Sequence, residues 1–408
     1  MRLKDVASVN LRTLDENTPR GYVFKYIDIS SVSFEKGIDL GQDIVFSQAP
    51  SRARRIVKKG DVLVSTVRTY LRAIADIDWD AENIVASTGF AVFSPNNNII
   101  PRFMAFAVKS TDVINQICSN SKGVSYPAIQ APLLAAVEIP YFDIPEQKAI
   151  AEYLDKECEK IGRNIELLER KANAYKRLRR SIINRAVTRG LNPDAPLKPS
   201  GIPFLGEVPK HWYIRRIKSL FDERNELSES GTEDLLSVSE YYGVAKRADK
   251  VEGENISRSN SLEGYKLCYV NDIVSNIMLA WKGSLGRTSY DGIVSPAYSV
   301  YRPVDKLDSR YYHYLFRTEI YKGIFRTNSR GIIESRLRLY TPNFFAIQTI
   351  YPPVREQHEI VAYLDEKCSK IDAIIEKIGT QIERLKELKR SLINEVVTGK
   401  RAITTYKP

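Results

Sequence analysis

The sequence predicts an α+β protein built from two mixed α/β globules, each followed by one long amphipathic helix, with the two helices packed on one another. Three observations lead to this fold class. One segment occurs twice in the chain, both copies carry the apolar spacing of a long helix, and short β-type runs lie ahead of each copy. Such a duplication usually means that the protein addresses two similar targets.

The repeated segment runs from Glu146 to Thr188 and again, without a gap, from Glu356 to Thr398, so every residue is displaced by 210 positions. The identical pairs are Glu146/Glu356, Gln147/Gln357, Ile150/Ile360, Tyr153/Tyr363, Leu154/Leu364, Asp155/Asp365, Cys158/Cys368, Lys160/Lys370, Ile161/Ile371, Ile165/Ile375, Arg180/Arg390, Ser181/Ser391, Asn184/Asn394 and Thr188/Thr398. A chance match does not keep one register over this length. The chain is therefore an internal duplication.

Each copy of the repeat has the heptad spacing of a helix that pairs along one apolar seam. The first seam residues are Leu154, Cys158, Ile161, Ile165 and Leu168 in one copy, and Leu364, Cys368, Ile371, Ile375 and Ile378 in the other. A base, Arg179 or Lys389, interrupts both seams at the same place. At ~1.5 Å per residue, a helix of about 45 residues reaches ~65 Å and can set a distance. Gly190 and Gly399 predict a left-handed C-terminal cap for each helix.

The regions ahead of the helices share a frame but differ in detail. Ser87–Phe90 aligns with Ser295–Tyr298, and Asn120–Val124 aligns with Asn328–Ile332. β-Type runs bounded by Gly, Asn and Asp are predicted at 22–29, 61–66, 89–93, 272–277 and 297–301, and helical stretches at 102–118 and 309–325. The predicted domains are 1–142, helix 143–190, a Pro- and Gly-rich linker 191–203 with little regular structure, 204–350, and helix plus tail 351–408.

Composition and charge limit the classes of function. The net charge is +11 over 408 residues, which favours a polyanionic partner without proving one. No apolar run approaches the length of a membrane span, and no signal peptide is recognised, so we expect a cytoplasmic protein. The four cysteines lie far apart with no CxxC pair, so neither a disulfide framework nor a zinc site is indicated.

The motifs of common enzymes are missing from the sequence. The three histidines, His211, His313 and His358, are far apart and have no partner at metal-ligand spacing. There is no GxxxxGK[ST] phosphate loop, no GxSxG elbow and no Asn-Pro-Pro-aromatic tetrapeptide of adenine methyltransferases. We therefore expect no catalytic residues, no bound metal and no cofactor on this chain.

A globule followed by an EQxxI(A/V)xYLD helix, with the whole unit occurring twice, resembles the DNA-specificity (S) subunits of type I restriction-modification systems. The resemblance covers essentially the entire chain. It implies two target recognition domains that each read half of a bipartite DNA site. It also implies that the two helices form an antiparallel coiled coil, related by a pseudo-two-fold axis, that sets the gap between the half-sites. The first globule departs from the pattern, because it begins at Met1, which aligns near Arg216.

The resemblance further implies a subunit without catalysis of its own. Its partners would be double-stranded DNA and modification (methyltransferase) subunits, in a number of two, joined in some systems by restriction (motor and nuclease) subunits. S-Adenosylmethionine would be bound by the modification subunits and not by this chain.

Candidate DNA contacts are bases, amides, hydroxyls and aromatics in loops, because these side chains bind base edges and phosphates. The first pair of corresponding loops offers Arg68, Thr69, Tyr70 and Arg72 in one half and Trp281, Lys282, Ser284 and Arg287 in the other. The second pair offers Lys122, Ser125 and Tyr126, and then Arg330, Glu334, Arg336 and Arg338. Each loop has the alternative interpretation of a solvated turn with its aromatic residue in the core.

Other basic stretches carry the same two interpretations. The cluster Arg52, Arg54, Arg55, Lys58 and Lys59 is either a DNA contact or a solvated face. Eight bases and no acid lie between Arg170 and Arg189, which is consistent with partner docking or with simple stabilisation of the helix C-terminus. Cys158 and Cys368 occupy seam positions and are interpreted as core residues.

Two other classes of function remain open from the sequence. The chain could be a DNA-modifying enzyme, a nuclease or a methyltransferase, with its own recognition domains. It could also be a structural coiled-coil adaptor that reads no DNA sequence.

Overall fold

The computed structural model describes residues 1–34, 37–80, 82–123, 125–250, 261–304 and 306–403. Val124, which the sequence aligns with Ile332, and the end of the predicted tail beyond residue 403 lie outside the described residues. The chain divides into two compact units. Unit 1 comprises Met1–Lys171 with Lys377–Pro408, and unit 2 comprises Ala172–Glu376.

In the residues that the structure describes, the first half of the chain folds into short strands, four short α-helices and one long α-helix. In order these elements are α1 (Leu3–Val6), β1 (Ala7–Val9), β2 (Val23–Ile27), β3 (Val32–Ser33), β4 (Gly37–Ile38), β5 (Asp43–Val45), β6 (Ala53–Ile56), β7 (Val62–Ser65), β8 (Ile74–Asp76), β9 (Ile84–Ser87), β10 (Phe90–Pro95), α2 (Pro101–Lys109), α3 (Thr111–Ser119), α4 (Ala131–Ala135) and α5 (Ile144–Arg189).

In the described part of the second half, strands again come before short helices and one long helix. Its elements are β11 (Leu197–Pro199), β12 (Glu207–Pro209), β13 (Tyr213–Arg216), β14 (Phe221–Arg224), β15 (Leu236–Ser239), β16 (Gly243–Lys246), β17 (Lys266–Cys268), β18 (Ile273–Asn276), β19 (Leu285–Arg287), β20 (Gly292–Val294), β21 (Tyr298–Pro303), α6 (Ser309–Phe316), α7 (Glu319–Asn328), α8 (Thr341–Ala346), β22 (Gln348–Tyr351) and α9 (Val354–Val397).

Each unit is built on an antiparallel four-stranded sheet of the same connectivity. The strand order is β1-β10-β7-β8 in unit 1 and β14-β21-β18-β19 in unit 2. The strands form where β-branched residues are concentrated in a buried run, as in Val62–Ser65 and Ile273–Asn276, which are buried throughout. Unit 1 has a second four-stranded sheet, β5-β2-β9-β6, in which β2 and β9 run parallel.

The predicted helical stretches 102–118 and 309–325 are each two helices instead of one. The first breaks at Ser110, whose extended backbone ends α2 and begins α3. The second breaks at Thr318, whose side chain accepts a hydrogen bond from Tyr321 N and caps α7. The predicted linker also has more regular structure than expected, because β11 pairs with β12.

The long helices are 46 residues (α5) and 44 residues (α9), and both contribute to both units. Gly190 and Gly399 end them with φ values of 72° and 71°, as the C-cap prediction requires. In unit 1 the seam residues Leu154, Cys158 and Ile161 share a core with Leu392 and Val396. Farther along α5, Leu168 lines a groove with Leu385. Moving toward the C-terminus of α5, the partner residues therefore lie closer to the N-terminus of α9. The two helices run antiparallel.

Unit 2 shows the same antiparallel pairing at the other ends of the two helices. The Arg179 guanidinium pairs with Asp372 at 3.0 Å, and Ile182 and Val187 share a core with Leu364 and Ile360. Of the other seam residues, Ile375 of unit 2 is half-buried, and in unit 1 Ile378 is buried and Ile165 is half-buried. The sequence-predicted helix pair is therefore confirmed.

Candidate nucleic-acid interface

Two loops come together at one end of the main sheet in unit 1. The first, residues 66–72, joins β7 to the edge strand β8, and the second, residues 120–130, joins α3 to α4. We call them loop pair 1. Ile129 N donates a hydrogen bond to Thr66 O at 2.9 Å, and Arg68 N donates one to Pro127 O at 2.7 Å. Backbone bonds thus hold the two loops as one surface.

The side chains of loop pair 1 combine bases with exposed aromatic rings. The Arg68 guanidinium lies over the Tyr126 ring, 4.5 Å from its centroid. Tyr126 is 62% exposed and Tyr70 is 54% exposed, and Lys122 and Ser125 are also exposed. The structure therefore presents donors and aromatic faces to solvent on two adjacent loops.

Thr69 does not belong to this exposed surface, and we withdraw it as a candidate contact. It is 3% exposed, and its hydroxyl lies 3.0 Å from Ser121 Oγ and 3.7 Å from Cys118 Sγ. It ties the first loop to the end of α3. Arg72 is half-buried, with its guanidinium 5.8 Å from the Phe34 ring.

Unit 2 has the corresponding arrangement, which we call loop pair 2. Residues 277–284 join β18 to the edge strand β19, and residues 329–340 join α7 to α8. Leu339 N donates to Ile277 O at 2.8 Å, the counterpart of the Ile129–Thr66 bond. Arg330 and Arg338 pair across the second loop, as Lys122 and Ala128 do in unit 1.

The glycine that follows the base in each second loop is required by the backbone. Gly123 has a φ of 112° and Gly331 a φ of 147°. A Cβ would lie 3.1 Å from Tyr126 O at the first position and 2.5 Å from Arg336 O at the second. The glycine of the shared Asn-Ser-base-Gly sequence is therefore explained by loop geometry.

Loop pair 2 exposes arginines and an apolar tip. Arg330 and Arg336 are exposed, and Ile332 is fully exposed. Arg338 is half-buried and donates to Leu337 O at 2.8 Å and to Ser335 O at 3.2 Å.

Trp281 is withdrawn as a direct contact, because the alternative interpretation of a core aromatic is the correct one. It is 9% exposed, and its indole N–H donates to Met278 O at 3.1 Å. The Arg326 guanidinium and the Lys282 ammonium lie 5.4 and 5.1 Å from its ring. The Ser284 side chain is also buried, at 1% exposed.

Arg287 lies on strand β19 and not in the loop, half-buried. Its guanidinium donates to Asn271 Oδ1 at 2.8 Å and to Ser289 Oγ at 3.0 Å. Burial and the nearby Arg310 lower its pKa. Its guanidinium is therefore already bonded to two neighbouring side chains.

The basic cluster of residues 52–59 is divided by strand β6. Arg52 and Lys58 are exposed, whereas Arg54 lies 5.2 Å over the Phe46 ring. Arg55 donates to Thr13 Oγ1 at 3.4 Å, and Lys59 pairs with Asp80 at 3.2 Å. Arg52 is close to loop pair 1 through the 88–89 turn, since Thr88 N donates to Arg52 O and Thr66 N donates to Gly89 O, each at 2.8 Å.

The glutamine at the start of each repeat has a structural role. The sequence showed only that this residue is identical in the two copies. Gln147 and Gln357 are fully buried. Each side-chain amide donates to a carbonyl just ahead of its own helix, Phe142 O or Pro352 O, at 2.8 Å. Repeat identity at a polar position inside a helix was the available signal for such an anchor.

The aspartates of the YLD motif also join globule to helix within each unit. Arg102 pairs with Asp155 at 2.6 Å, and Arg310 pairs with Asp365 at 3.5 Å. The Tyr314 hydroxyl adds a hydrogen bond to Asp365 at 2.7 Å. Because Arg102 lies in α2 and Arg310 in α6, these contacts join one short helix of each unit to its long helix.

The remaining reactive side chains are occupied by packing. Cys158 and Cys368 are buried in the seam, and burial raises the pKa of both thiols. Burial beside Arg317 and Arg287 lowers the pKa of His313 to about 3. Across the described ranges, no three His, Cys, Asp or Glu side chains are grouped as metal ligands. No helix in those ranges is both long and apolar enough to cross a bilayer.

Comparison with known proteins places these two loop-bearing units in one family. The family model described as the type I restriction modification DNA specificity domain matches residues 1–174 and 209–384. The MjaVIII specificity subunit of Methanocaldococcus jannaschii, a type I restriction enzyme subunit, is 22% identical over 353 residues, 79% of this chain and 77% of that protein. The StySPI specificity subunit of Salmonella potsdam is 23% identical over 320 residues, 75% of this chain and 66% of that protein.

A solved structure agrees with the architecture. It is described as the structural basis underlying complex assembly and conformational transition of the type I R-M system. It matches with a TM-score of 0.70 at 20% identity, over 98% of this chain and 97% of that one. At this identity the similarity shows a shared fold only. Because the family model covers both halves of the chain and well over half of its length, the protein belongs to the type I restriction-modification DNA specificity family, the non-catalytic subunits that recognise DNA in these systems.

Proposed function

We propose that the protein reads a bipartite site on double-stranded DNA, with loop pair 1 reading one half-site and loop pair 2 the other. The observation that carries the proposal is that the same two loops are joined by the same backbone bond in each unit, Ile129 to Thr66 and Leu339 to Ile277. Two equivalent frames with different side chains suit two half-sites of different sequence.

The side chains of the loop pairs are the types that contact DNA in the major groove and along the backbone. Arg68, Arg330 and Arg336 supply the forked donors that bind guanine O6 and N7. Lys122 and Ser125 suit phosphate oxygens, as do the exposed hydroxyls of Tyr70 and Tyr126. We propose a further phosphate contact for Arg52, which lies beside loop pair 1.

We propose that the long helices determine the number of base pairs between the half-sites. Their length and their contribution to both units support this role. Half-site separations near one turn of DNA, ~34 Å, are common among proteins that read two sites.

The partners follow from the family. Type I specificity subunits work with methyltransferase and restriction subunits, and we propose two modification subunits for this chain, one for each repeat. We also propose that S-adenosylmethionine binds to those subunits and that this chain holds no cofactor. The protein would act in the cytoplasm, where chromosomal DNA is accessible.

Methylome sequencing of cells that express this chain with its cognate modification subunits tests the proposal. We expect one methylated bipartite sequence with a constant gap. Methylation of a single uninterrupted sequence, or no sequence preference, would contradict it.

A second assay addresses the enzyme alternative. The isolated chain, incubated with DNA and labelled S-adenosylmethionine, should transfer no methyl groups, whereas the reconstituted complex should. Transfer by the isolated chain would make it an enzyme in its own right.

A further inference from the structure

A β-hairpin that the sequence did not indicate lies against loop pair 2. Strands β15 and β16 pair from Leu236–Lys246 to Ser239–Gly243, so the turn consists of residues 240–242. Tyr241 in this turn is 85% exposed. The Ser284 hydroxyl, at the end of the 277–284 loop, donates to Val238 O at 3.0 Å and attaches the hairpin to the loop.

Arg317, the C-cap residue of α6, holds the hairpin turn and the loop with one guanidinium. Its Nη1 donates to Ser239 O at 3.2 Å, Gly283 O at 3.0 Å and Leu285 O at 2.9 Å. Its Nη2 donates to Glu240 O at 2.9 Å and Tyr241 O at 3.1 Å. All five acceptors are backbone carbonyls, so the side chain fixes the position of the two segments whatever their side chains are.

The Arg317 guanidinium is largely removed from solvent, so hydrogen bonds to the protein must replace those it would make to water. Burial, with the nearby Arg179, lowers the pKa of Arg317 to about 10, so it remains charged at neutral pH. A buried charge is tolerated only when its donors are satisfied. A lysine has one nitrogen and cannot reach both segments with a planar fork.

We propose that the turn of this hairpin is a further DNA-contacting element of unit 2, and that Arg317 is a positioning residue that sets its place beside loop pair 2. The inference rests on the proposed function. A two-stranded β-ribbon fits the major groove of B-DNA, and Tyr241 would present its hydroxyl there. Lys250, whose ammonium lies 5.3 Å from the Tyr242 ring, adds charge next to the turn.

The experiment uses the complex of the full chain with its cognate modification subunits. The probes are a duplex carrying the bipartite sequence found by methylome sequencing, and duplexes with single base-pair changes in either half-site. Arg336→Ala identifies the half-site read by unit 2, because it should lose discrimination there. Tyr213→Ala is the matched control, since Tyr213 is an exposed tyrosine (61%) of the same unit on strand β13.

We expect Tyr241→Ala to weaken binding of the cognate duplex about tenfold, the effect of losing one specific contact, with Tyr213→Ala unchanged. Arg317→Lys should reduce discrimination at the unit 2 half-site about tenfold while discrimination at the other half-site is retained. A loss of stability of the whole protein would instead reduce discrimination at both half-sites.

Wild-type affinity and discrimination in both Tyr241→Ala and Arg317→Lys, with Arg336→Ala impaired, would overturn the inference and leave the proposed function standing. Equal loss at both half-sites in Arg317→Lys would overturn it too, because that is the signature of general destabilisation. If Arg336→Ala also binds and discriminates as the wild type does, the assignment of loop pair 2 itself fails.

Discussion

The side-chain oxygen of Gln147 accepts a hydrogen bond from the backbone N–H of Ile100 at 2.8 Å, and Ile100 is the N-cap residue of α2. Gln357 makes the equivalent bond to Asp308 N, the N-cap of α6, at 3.0 Å. In each unit the start of a long helix is thus joined to the first helix of the globule. The repeated glutamine ties the recognition frame to the helix pair.

Replacing Gln147 with leucine should destabilise unit 1. The change leaves Ile100 N–H, Phe142 C=O and Asn98 C=O without their hydrogen-bond partner at partly buried positions, at a cost of about 1–3 kcal/mol for each group when it is fully shielded from water. Because water partly reaches these groups, urea unfolding should show a free energy of unfolding that is lower by about 2–4 kcal/mol, toward the lower end of the summed cost. Lys148→Leu, an exposed change on the next residue, is the control, and equal stability of the two variants would contradict the role of Gln147.

Replacing Arg68 with alanine should weaken specific DNA binding through unit 1. The guanidinium would be lost from the surface it forms with Tyr126, and one specific base contact contributes about 1–3 kcal/mol. Titration of the reconstituted complex with its cognate duplex should show about a tenfold higher Kd. Lys4→Ala, an exposed base outside the loops, should bind as the wild type does; equal affinities of Arg68→Ala and Lys4→Ala would remove Arg68 from the interface.

Lengthening both long helices should change the gap between the half-sites and leave the half-sites unchanged. Seven residues inserted after Leu168 and after Glu383 keep the heptad phase and add ~10 Å to the helix pair. These points face one another in unit 1, since Leu168 and Arg384 line the same groove. Methylome sequencing should report the same two half-sites with a longer gap. Altered half-sites with the original gap would contradict the proposal that the helices set the gap and the loop pairs read the sequence.

Lys109 should make the stability of unit 1 depend on pH in the alkaline range. Burial lowers the pKa of its ammonium to about 8, opposed by Asp76 and reinforced by Arg102 and Lys389. The unfolded chain then binds more protons than the native one between pH ~8 and ~10.4, so stability rises with pH through this window, by about 3 kcal/mol in all.

Urea unfolding of the wild type and of Lys109→Met at several pH values between 7.5 and 10.5 measures this contribution. The wild type should approach the variant in stability as the pH rises. The Cys158 thiol, whose pKa burial raises, titrates in both proteins and largely cancels in the difference. A constant difference between the two proteins over this range would show that Lys109 is not the group responsible.

Prediction from sequence succeeded where the signal is periodic or repeated. The seam from Leu154 to Ile161 follows from heptad spacing, and its antiparallel partner around Leu392 is in the same core. It failed where residue type alone had to decide exposure. Thr69 and Trp281 have the chemistry of DNA contacts, yet their side chains bond to Ser121 and Met278 inside the protein.

The sequence by itself determined the duplication, the long helices and the positions of the loops, because heptad spacing and repeat register are properties of the chain read in order. Only the tertiary structure decided which side chains share a surface. Arg317 reaches Tyr241 O, 76 residues away along the chain, and Ile129 meets Thr66. The acceptors of these bonds are backbone carbonyls, which every residue has, and the partners are separated along the chain by no regular spacing. No sequence pattern therefore indicates which residues will meet.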